Sequence, residues 1–165
     1  MAEPTGEAYN RGTRPRQRLF AGRREEEGAT RHSAGGGRPV PGPHAGSQPF
    51  VDAAAEGRLL IRRCPACSRY LGPATVLCDA CHSSDLEWRE ASGRGALYSF
   101  VIEHQVRHAG FANEAPYNVI VVELEEGPRI VGTYAGANAD LMVDMPLRVT
   151  FEKAGDVTVP KWVAG

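Results

Sequence analysis

The chain has 165 residues, of which 42% are hydrophobic and 24% charged, and its formal net charge is −1. This length suits one ordinary domain, or a small core joined to a module stabilised by a metal. No apolar run approaches the roughly 18 residues that span a bilayer, and the N-terminus lacks the apolar stretch of about 7–15 residues found in secretory signals. The composition disfavours a membrane protein and predicts a cytoplasmic one.

Residues 1–46 contain nine Gly and five Pro, with only scattered apolar side chains. Such a segment cannot bury enough apolar surface to offset the entropy lost on ordering. It carries eight Arg against five Glu, whereas residues 47–165 carry eleven basic and fifteen acidic side chains. We therefore expect a disordered basic tail over residues 1–46 and an acidic folded body after it.

Residues 47–90 are expected to hold a short helix and a cysteine-rich module. Three consecutive alanines favour a helix over residues 49–56, with Ser47 near its start and Gly57 able to end it. Residues 59–63 are apolar and then basic, which predicts a short strand leading directly into the first cysteine.

Four cysteines, the only ones in the chain, form two C-x-x-C pairs with ten residues between them. They are Cys64, Cys67, Cys78 and Cys81. Each pair can form a tight knuckle whose two sulfurs bind one metal, and two knuckles complete a tetrahedral set. In a reducing compartment this pattern indicates metal ligands rather than disulfides. The spacing predicts a closed, structural zinc site that leaves no position for water or substrate.

Other interpretations of the cysteines remain open. Residues 78–82 spell C-x-x-C-H, the c-type haem attachment pattern, but haem attachment would leave Cys64 and Cys67 without a role. Redox iron of the rubredoxin kind is a second alternative, because tetrahedral sulfur sites accept zinc or iron. Rubredoxin knuckles usually have Gly after the second cysteine, where this chain has Ser68 and His82. Two disulfides, or a site that has lost its metal, are the remaining alternatives.

Residues 91–165 are rich in predicted strands, over residues 96–104, 117–124, 129–134, 147–153 and 157–162. Alternation in the first of them places four side chains on one face: Tyr98, Phe100, Ile102 and His104. Five strands in about 70 residues, with no long helix, suit a small closed barrel. The predicted fold class is thus mainly β, with a short N-terminal helix, a four-cysteine ribbon and a five-stranded barrel.

The order of motifs resembles one known family, the acyl-CoA-associated domain-of-unknown-function family thirty-five. The resemblance covers about residues 48–162 and rests on both cysteine pairs and on the segments LEW (86–88), SGRGALYSF (92–100), FA (111–112), PY (116–117), VVEL (121–124), EGPR (126–129) and MPLRV (145–149). Asp144 stands where that family commonly has Gly, a departure confined to one turn. The resemblance implies a rubredoxin-like zinc ribbon joined to an OB-fold barrel.

The resemblance also implies an accessory role. Members of the family are similar to small partners of thiolase-like enzymes, including lipid-transfer-protein-type retro-aldolases of steroid side-chain degradation. They are also associated with acyltransferases and enoyl-CoA hydratases. The implied function is a non-catalytic subunit of a hetero-oligomer that stabilises its enzyme and helps to bind or channel acyl-CoA.

Coenzyme A is strongly anionic, so a surface that binds it needs arginine or lysine. Several arginines lie in the ribbon, at its junction with the barrel and in the long loop of residues 104–116, and long loops are often binding elements. The candidate substrate-binding residues are Arg62, Arg63, Arg94, His104, Arg107 and Phe111. Each of them also has an ordinary structural or solvated interpretation.

Two rival functions differ in class from this one. Zinc ribbons and OB-folds also bind single-stranded nucleic acid, but the acidic body of residues 47–165 disfavours a phosphate backbone. An autonomous hydrolase or aldolase needs a nucleophile–base pair, paired carboxylates or an open metal site. The sequence contains no motif of that kind, so no catalytic residue is predicted.

Overall fold

The computed structural model describes residue 39 and residues 46–165, so the predicted tail lies almost entirely outside the described residues. Within them no helix has the length and apolar character to cross a membrane. The elements in chain order are α1 (Gln48–Ala55), β1 (Leu60–Arg63), β2 (Tyr70–Leu71), β3 (Glu87–Glu90), β4 (Arg94–Glu103), β5 (Tyr117–Leu124), β6 (Arg129–Gly132), β7 (Pro146–Ala154) and β8 (Val157–Ala164).

Helix α1 begins and ends within one residue of its prediction. Pro49 lies in its first turn, where a missing N–H costs nothing, and Gly57 follows its C-cap with a φ of +77°. Ala53 and Ala54 are its buried residues, and small side chains there let the helix lie close to the strands beneath it. The helix packs against β1 and β8.

The cysteine module contains a three-stranded antiparallel sheet in the order β2-β1-β3. Sequence patterns predicted β1 but not its two partners. Strand β2 has two residues, too few for any periodicity, and β3 is the polar segment Glu87-Trp88-Arg89-Glu90, which lacks apolar alternation. Both partners form because β1 offers an edge on each side, a tertiary effect that a local pattern does not record.

The second sheet has five antiparallel strands in the order β6-β5-β4-β7-β8, which confirms the predicted five strands. Its two edges approach each other at Trp162, whose N–H donates to Thr133 O and whose C=O accepts from Ala135 N–H, at 2.9 and 2.8 Å. Tyr134 and Trp162 form an isolated parallel bridge at the same point. The sheet is therefore a partly closed barrel, as the predicted fold class requires.

One core fills this barrel, and it is built from alternate residues of the strands. Strand β5 contributes Asn118, Ile120, Val122 and Leu124, all buried, while Trp162 of β8 is fully buried at the centre. Leu59 and Ile61 of the cysteine module join the same core. A smaller second cluster lies in the module itself, around Cys64 and Cys78.

Strand β4 confirms the predicted shared face for Phe100 and Ile102, which pack on the core, but not for Tyr98 or for His104, which is exposed beyond the end of the strand. The register with β5 shifts between Leu97 and Ser99, which marks a bulge at Tyr98. The extra residue reverses the alternation, so that Leu97 is buried before the bulge and Phe100 packs on the core after it. Tyr98 is consequently 46% exposed, and its ring lies under the Arg129 guanidinium at 3.4 Å.

Candidate metal centre

The two cysteine knuckles have the same backbone construction. Cys64 N–H donates to Arg69 O at 2.8 Å, and Cys78 N–H donates to Ser83 O at 2.9 Å, so each knuckle is closed by a bond from residue i to residue i+5. The residue after each second cysteine, Ser68 or His82, has a positive φ of 62° or 58°. The repeated C-x-x-C spacing thus produces two copies of one turn.

The four sulfur atoms form one cluster. Cys64 Sγ lies 3.5 Å from Cys81 Sγ, and Cys67 Sγ lies 3.5 Å from Cys78 Sγ, so the short distances join one knuckle to the other. All four sulfurs lie within 4.8 Å of one another, and all four cysteines are free thiols. Tetrahedral zinc with Zn–S bonds of about 2.3 Å separates its sulfurs by about 3.8 Å. The donor set fits one tetrahedral metal ion.

Two thiols of the cluster have pKa values shifted in opposite directions. The backbone amides of Cys81 and Ala80 lower the pKa of the Cys78 thiol to about 7. The Ser83 amide lowers the pKa of Cys81, but hydrogen bonding to Cys64, burial and the other thiols outweigh it and raise that pKa to about 12. Four thiolates this close repel one another, and a metal ion that displaces the protons removes this conflict.

Two of the four ligands are buried and two are exposed. Cys64 and Cys78 are fully buried beside Leu71 and Leu86, whereas Cys67 and Cys81 lie at the surface. Four sulfur ligands fill a tetrahedral shell, so no position is left for a substrate. A bound metal here would hold β1, β2 and the two knuckles together and would perform no chemistry.

The two positive-φ residues bear on the rubredoxin comparison. Ser68 and His82 occupy the left-handed region, which is the conformation that glycine adopts most easily. The backbone therefore follows the turn that glycine gives in rubredoxin knuckles. Their side chains are not evidence against iron at this site.

We expect His82→Val to lower the free energy of unfolding of the metal-loaded protein by about 1–2 kcal/mol, because a β-branched residue fits the left-handed region poorly. His82→Gly should match or exceed the wild-type stability, with unchanged metal content in both variants. Urea denaturation measures the effect, and Ser84→Val on the exposed neighbour is the control. Equal stability of the Val and Gly variants would contradict the backbone assignment.

The predicted substrate-binding arginines are engaged in separate places. Arg62 lies 3.6 Å above the Trp88 ring and donates to Gly46 O at 3.2 Å, and burial lowers its pKa. Arg63 donates to Glu87 at 2.9 Å. Arg62 thus holds the segment before α1 against the ribbon, which is a structural role. Binding of acyl-CoA by Arg62 or Arg63 stays a prediction.

The other candidates lie along β4 and the loop after it. Arg94 starts β4 and His104 follows its end, so the two are about 30 Å apart along an extended chain. Arg107 pairs with Glu103 at 3.5 Å, and Phe111 stacks on Tyr117 with ring centroids 5.2 Å apart. The loop is therefore anchored to the barrel through Phe111. One small ligand group cannot contact both ends of β4.

Two polar residues, Asn118 and Arg148, were not singled out from the sequence. Asn118 is buried among apolar positions of β5 and bonds both the N–H and the C=O of Tyr134. Asn118 alternates with the same period of two as Ile120 and Val122, so the sequence could have predicted that its side chain faces the core. Arg148 lies directly opposite Arg94 across β4 and β7, and this depends on a strand register that no local pattern gives.

Two family models match consecutive parts of the chain. They are described as "ChsH2, rubredoxin-like zinc ribbon domain", over residues 51–87, and "ChsH2, C-terminal OB-fold domain", over residues 88–152. The boundary between the models falls within β3, the strand that ends the cysteine module.

Two curated relatives match this chain over only part of their own length. A probable enoyl-CoA hydratase alpha subunit of Thermomonospora curvata is 35% identical over 125 residues, covering 74% of this chain and 39% of that protein. A DUF35 domain-containing scaffold protein of Methanocaldococcus jannaschii is 30% identical over 93 residues, covering 55% of this chain and 65% of that protein. The chain thus spans less than two thirds of either relative.

A solved structure matches almost end to end. It is described as an Ltp2-ChsH2(DUF35) aldolase, and the similarity has a TM-score of 0.66 at 32% identity. The match covers 76% of this chain and 98% of that chain.

A four-sulfur ribbon followed by a partly closed five-stranded barrel defines a zinc-ribbon and OB-fold protein. Within that class the chain belongs to the DUF35 family, domain-of-unknown-function family thirty-five, in its ChsH2-like form. The resemblance predicted from the motifs is confirmed.

Proposed function

We infer that this chain is a non-catalytic scaffold subunit that docks on a thiolase-type, acyl-CoA-processing enzyme, such as a lipid-transfer-protein-type retro-aldolase of steroid side-chain degradation. The observation that carries this proposal is the match over 98% of the DUF35 chain of an aldolase that also contains Ltp2. A relative described as a scaffold protein supports the same role.

The outer face of the barrel supports docking on a protein. Strand β5 is apolar on both faces, because Val119 and Val121 point outward between its buried residues. Their cross-strand neighbours Val101 and Val131 are 61% and 68% exposed. A strand that is apolar on both sides is typical of a sheet covered on both sides. In the proposed complex the enzyme subunit covers this face.

The metal centre has a supporting role in this proposal, and zinc is its expected ion. The ribbon has only a small apolar cluster of its own, around Leu71 and Leu86, so a bound metal must supply most of its folding free energy.

The proposed domain organisation keeps the limits predicted from the sequence: a tail over residues 1–46, a helix and ribbon over 47–90 and a barrel over 91–165. Assistance in binding or channelling acyl-CoA is part of the same proposal.

The test is co-expression with a lipid-transfer-protein-type enzyme of the kind present in the matched Ltp2-ChsH2(DUF35) aldolase. We expect the two chains to co-purify as a hetero-oligomer whose mass is measured by size-exclusion chromatography with light scattering. Val131→Arg places a charge at the β6 edge of the apolar face and should weaken the complex at least about tenfold, because a buried unpaired charge is costly.

Ser84→Arg introduces the same charge at an exposed site on the ribbon and serves as the matched control, with unchanged assembly expected. Co-purification that resists Val131→Arg but fails with Ser84→Arg would move the interface to the ribbon. Two separate monomers at micromolar concentrations of both chains would contradict the proposed function itself.

A further inference from the structure

We propose that Arg94 and Arg148 form a binding site for a phosphate group on the outer face of the barrel, where β4 meets β7. The site goes beyond docking, because it is complete within this chain and needs no partner. It rests on the strand register, on the balance of charge around the two arginines and on the cavity between them.

The register places the two arginines side by side. Arg94 and Arg148 are direct cross-strand partners, so their side chains leave the same face of the sheet. Val149 N–H donates to Gly93 O at 2.7 Å, and Leu97 N–H donates to Met145 O at 3.0 Å. These bonds put Arg94 and Arg148 at a position without mutual hydrogen bonds, where opposed Cα atoms are about 4.5 Å apart and side chains approach most closely.

The charges around this pair are unbalanced. Glu125 accepts two hydrogen bonds from Arg94, both 2.9 Å long. Among the residues that the structure describes, no carboxylate pairs with Arg148, whose neighbour on the far side is Val163 of β8. Two like charges directly opposite each other destabilise a sheet. An anion that bridges the two guanidinium groups removes this repulsion.

The space needed for such an anion is present. Both arginines line a cavity of about 500 Å³, together with Ser92, Gly93 and Glu125. The cavity is open to solvent at the exposed Arg148 side, so a ligand can enter without movement of the strands. Apart from Ser92, the other lining residues have no side-chain donor, so the two guanidinium groups are the main donors of the cavity.

The geometry favours phosphate over a single carboxylate. A phosphate dianion carries more negative charge than a carboxylate and offers three tetrahedrally arranged acceptor oxygens, so each of the two guanidinium groups can make a bidentate contact with it. The phosphate can be free inorganic phosphate or the phosphomonoester of coenzyme A. Only the second source rests on the proposed function.

The test is titration of the full chain with inorganic phosphate at constant ionic strength, followed by calorimetry and by the backbone amide signals of residues 92–95 and 147–149. We expect saturable binding with shifts confined to those amides. Arg148→Gln should weaken it at least about tenfold, since a charge-assisted bidentate contact is lost. Lys153→Gln removes one exposed positive charge from the same strand and should change the affinity by less than about twofold.

A second variant moves the affinity in the opposite direction. Glu125→Gln removes the negative charge beside Arg94 and should tighten phosphate binding about fivefold. Equal affinities for phosphate, acetate and chloride, or equal losses in the Arg148 and Lys153 variants, would overturn the proposal.

Adenosine 3′,5′-bisphosphate distinguishes the two sources. Binding at least about tenfold tighter than that of inorganic phosphate, lost with Arg148→Gln, supports the coenzyme phosphomonoester, and equal affinities support free phosphate. Failure of both ligands overturns this site but leaves the docking experiment unaffected, because that experiment measures assembly in the absence of either ligand.

Discussion

Cys78→Ser is expected to abolish stoichiometric metal binding and to unfold the ribbon while the barrel stays folded. Cys78 is fully buried, and its sulfur accepts hydrogen bonds from the backbone amides of Cys81 and Ala80. The hydroxyl of a serine is a poor ligand for zinc and cannot replace this sulfur. Structural zinc contributes about 10–16 kcal/mol of apparent binding free energy at neutral pH. This is more than a cluster of two leucines can replace.

The two tryptophans of the chain report on the two cores separately. Trp88 lies in β3 under Arg62, and Trp162 is fully buried in the barrel. In the Cys78→Ser variant the indole N–H signal of Trp88 should move to its unfolded position, whereas that of Trp162 should keep its native shift. Metal content is measured by elemental analysis of the purified protein.

Ser84→Ala, which changes an exposed serine next to the second knuckle, is the control and should retain one metal per chain. A Cys78→Ser protein that keeps full metal occupancy and a native Trp88 signal would show that the cysteines do not form the metal site. Loss of both indole signals would show instead that ribbon and barrel fold as one unit, through the shared residues Leu59 and Ile61.

Elements with a strong local signal were predictable from the sequence. Strand β5, Tyr117–Leu124, matches its predicted limits because it contains a run of four β-branched residues at 119–122, and α1 matches within one residue because proline and glycine mark its ends. The cysteine cluster was also predictable, since two knuckles of fixed spacing leave few other ways to bring four sulfurs together.

Features that depend on tertiary contacts were not predictable in this way. The bulge places Tyr98 on the outer face of β4, and the composition of the strand gives no sign of it. Strand β3 forms only because β1 lies beside it. The opposition of Arg94 and Arg148 requires the register between strands separated by some 50 residues of sequence. Periodicity describes which face a residue takes within one strand, but it does not describe the neighbouring strand.

Asn118→Asp is expected to lower the free energy of unfolding by about 4 kcal/mol at pH 7. The Asn118 amide donates to Tyr134 O at 3.1 Å and to Asn138 Oδ1 at 2.8 Å, and both of these atoms are acceptors. An aspartate there must keep its proton to donate. Holding a proton at pH 7 on a carboxyl with an ordinary pKa of about 3.9 costs about 1.4 kcal/mol per pH unit.

The same reasoning fixes the sign of the pH dependence. The native state of the variant binds one proton that the unfolded state releases above pH 4, so the stability of the variant falls as the pH rises. At pH 5 the loss should shrink to about 1.5 kcal/mol relative to the wild type. Urea denaturation at pH 5 and pH 7 measures both values.

Asn113→Asp makes the identical change at an exposed position of the loop before β5 and should alter stability by less than about 0.5 kcal/mol at either pH. A destabilisation of Asn118→Asp that is the same at both pH values would show that loss of shape rather than the buried proton dominates. Asn118 holds the chain at Tyr134, next to the bridge to Trp162. A pH-dependent loss would therefore show that this one amide fixes the point at which the two edges of the sheet meet.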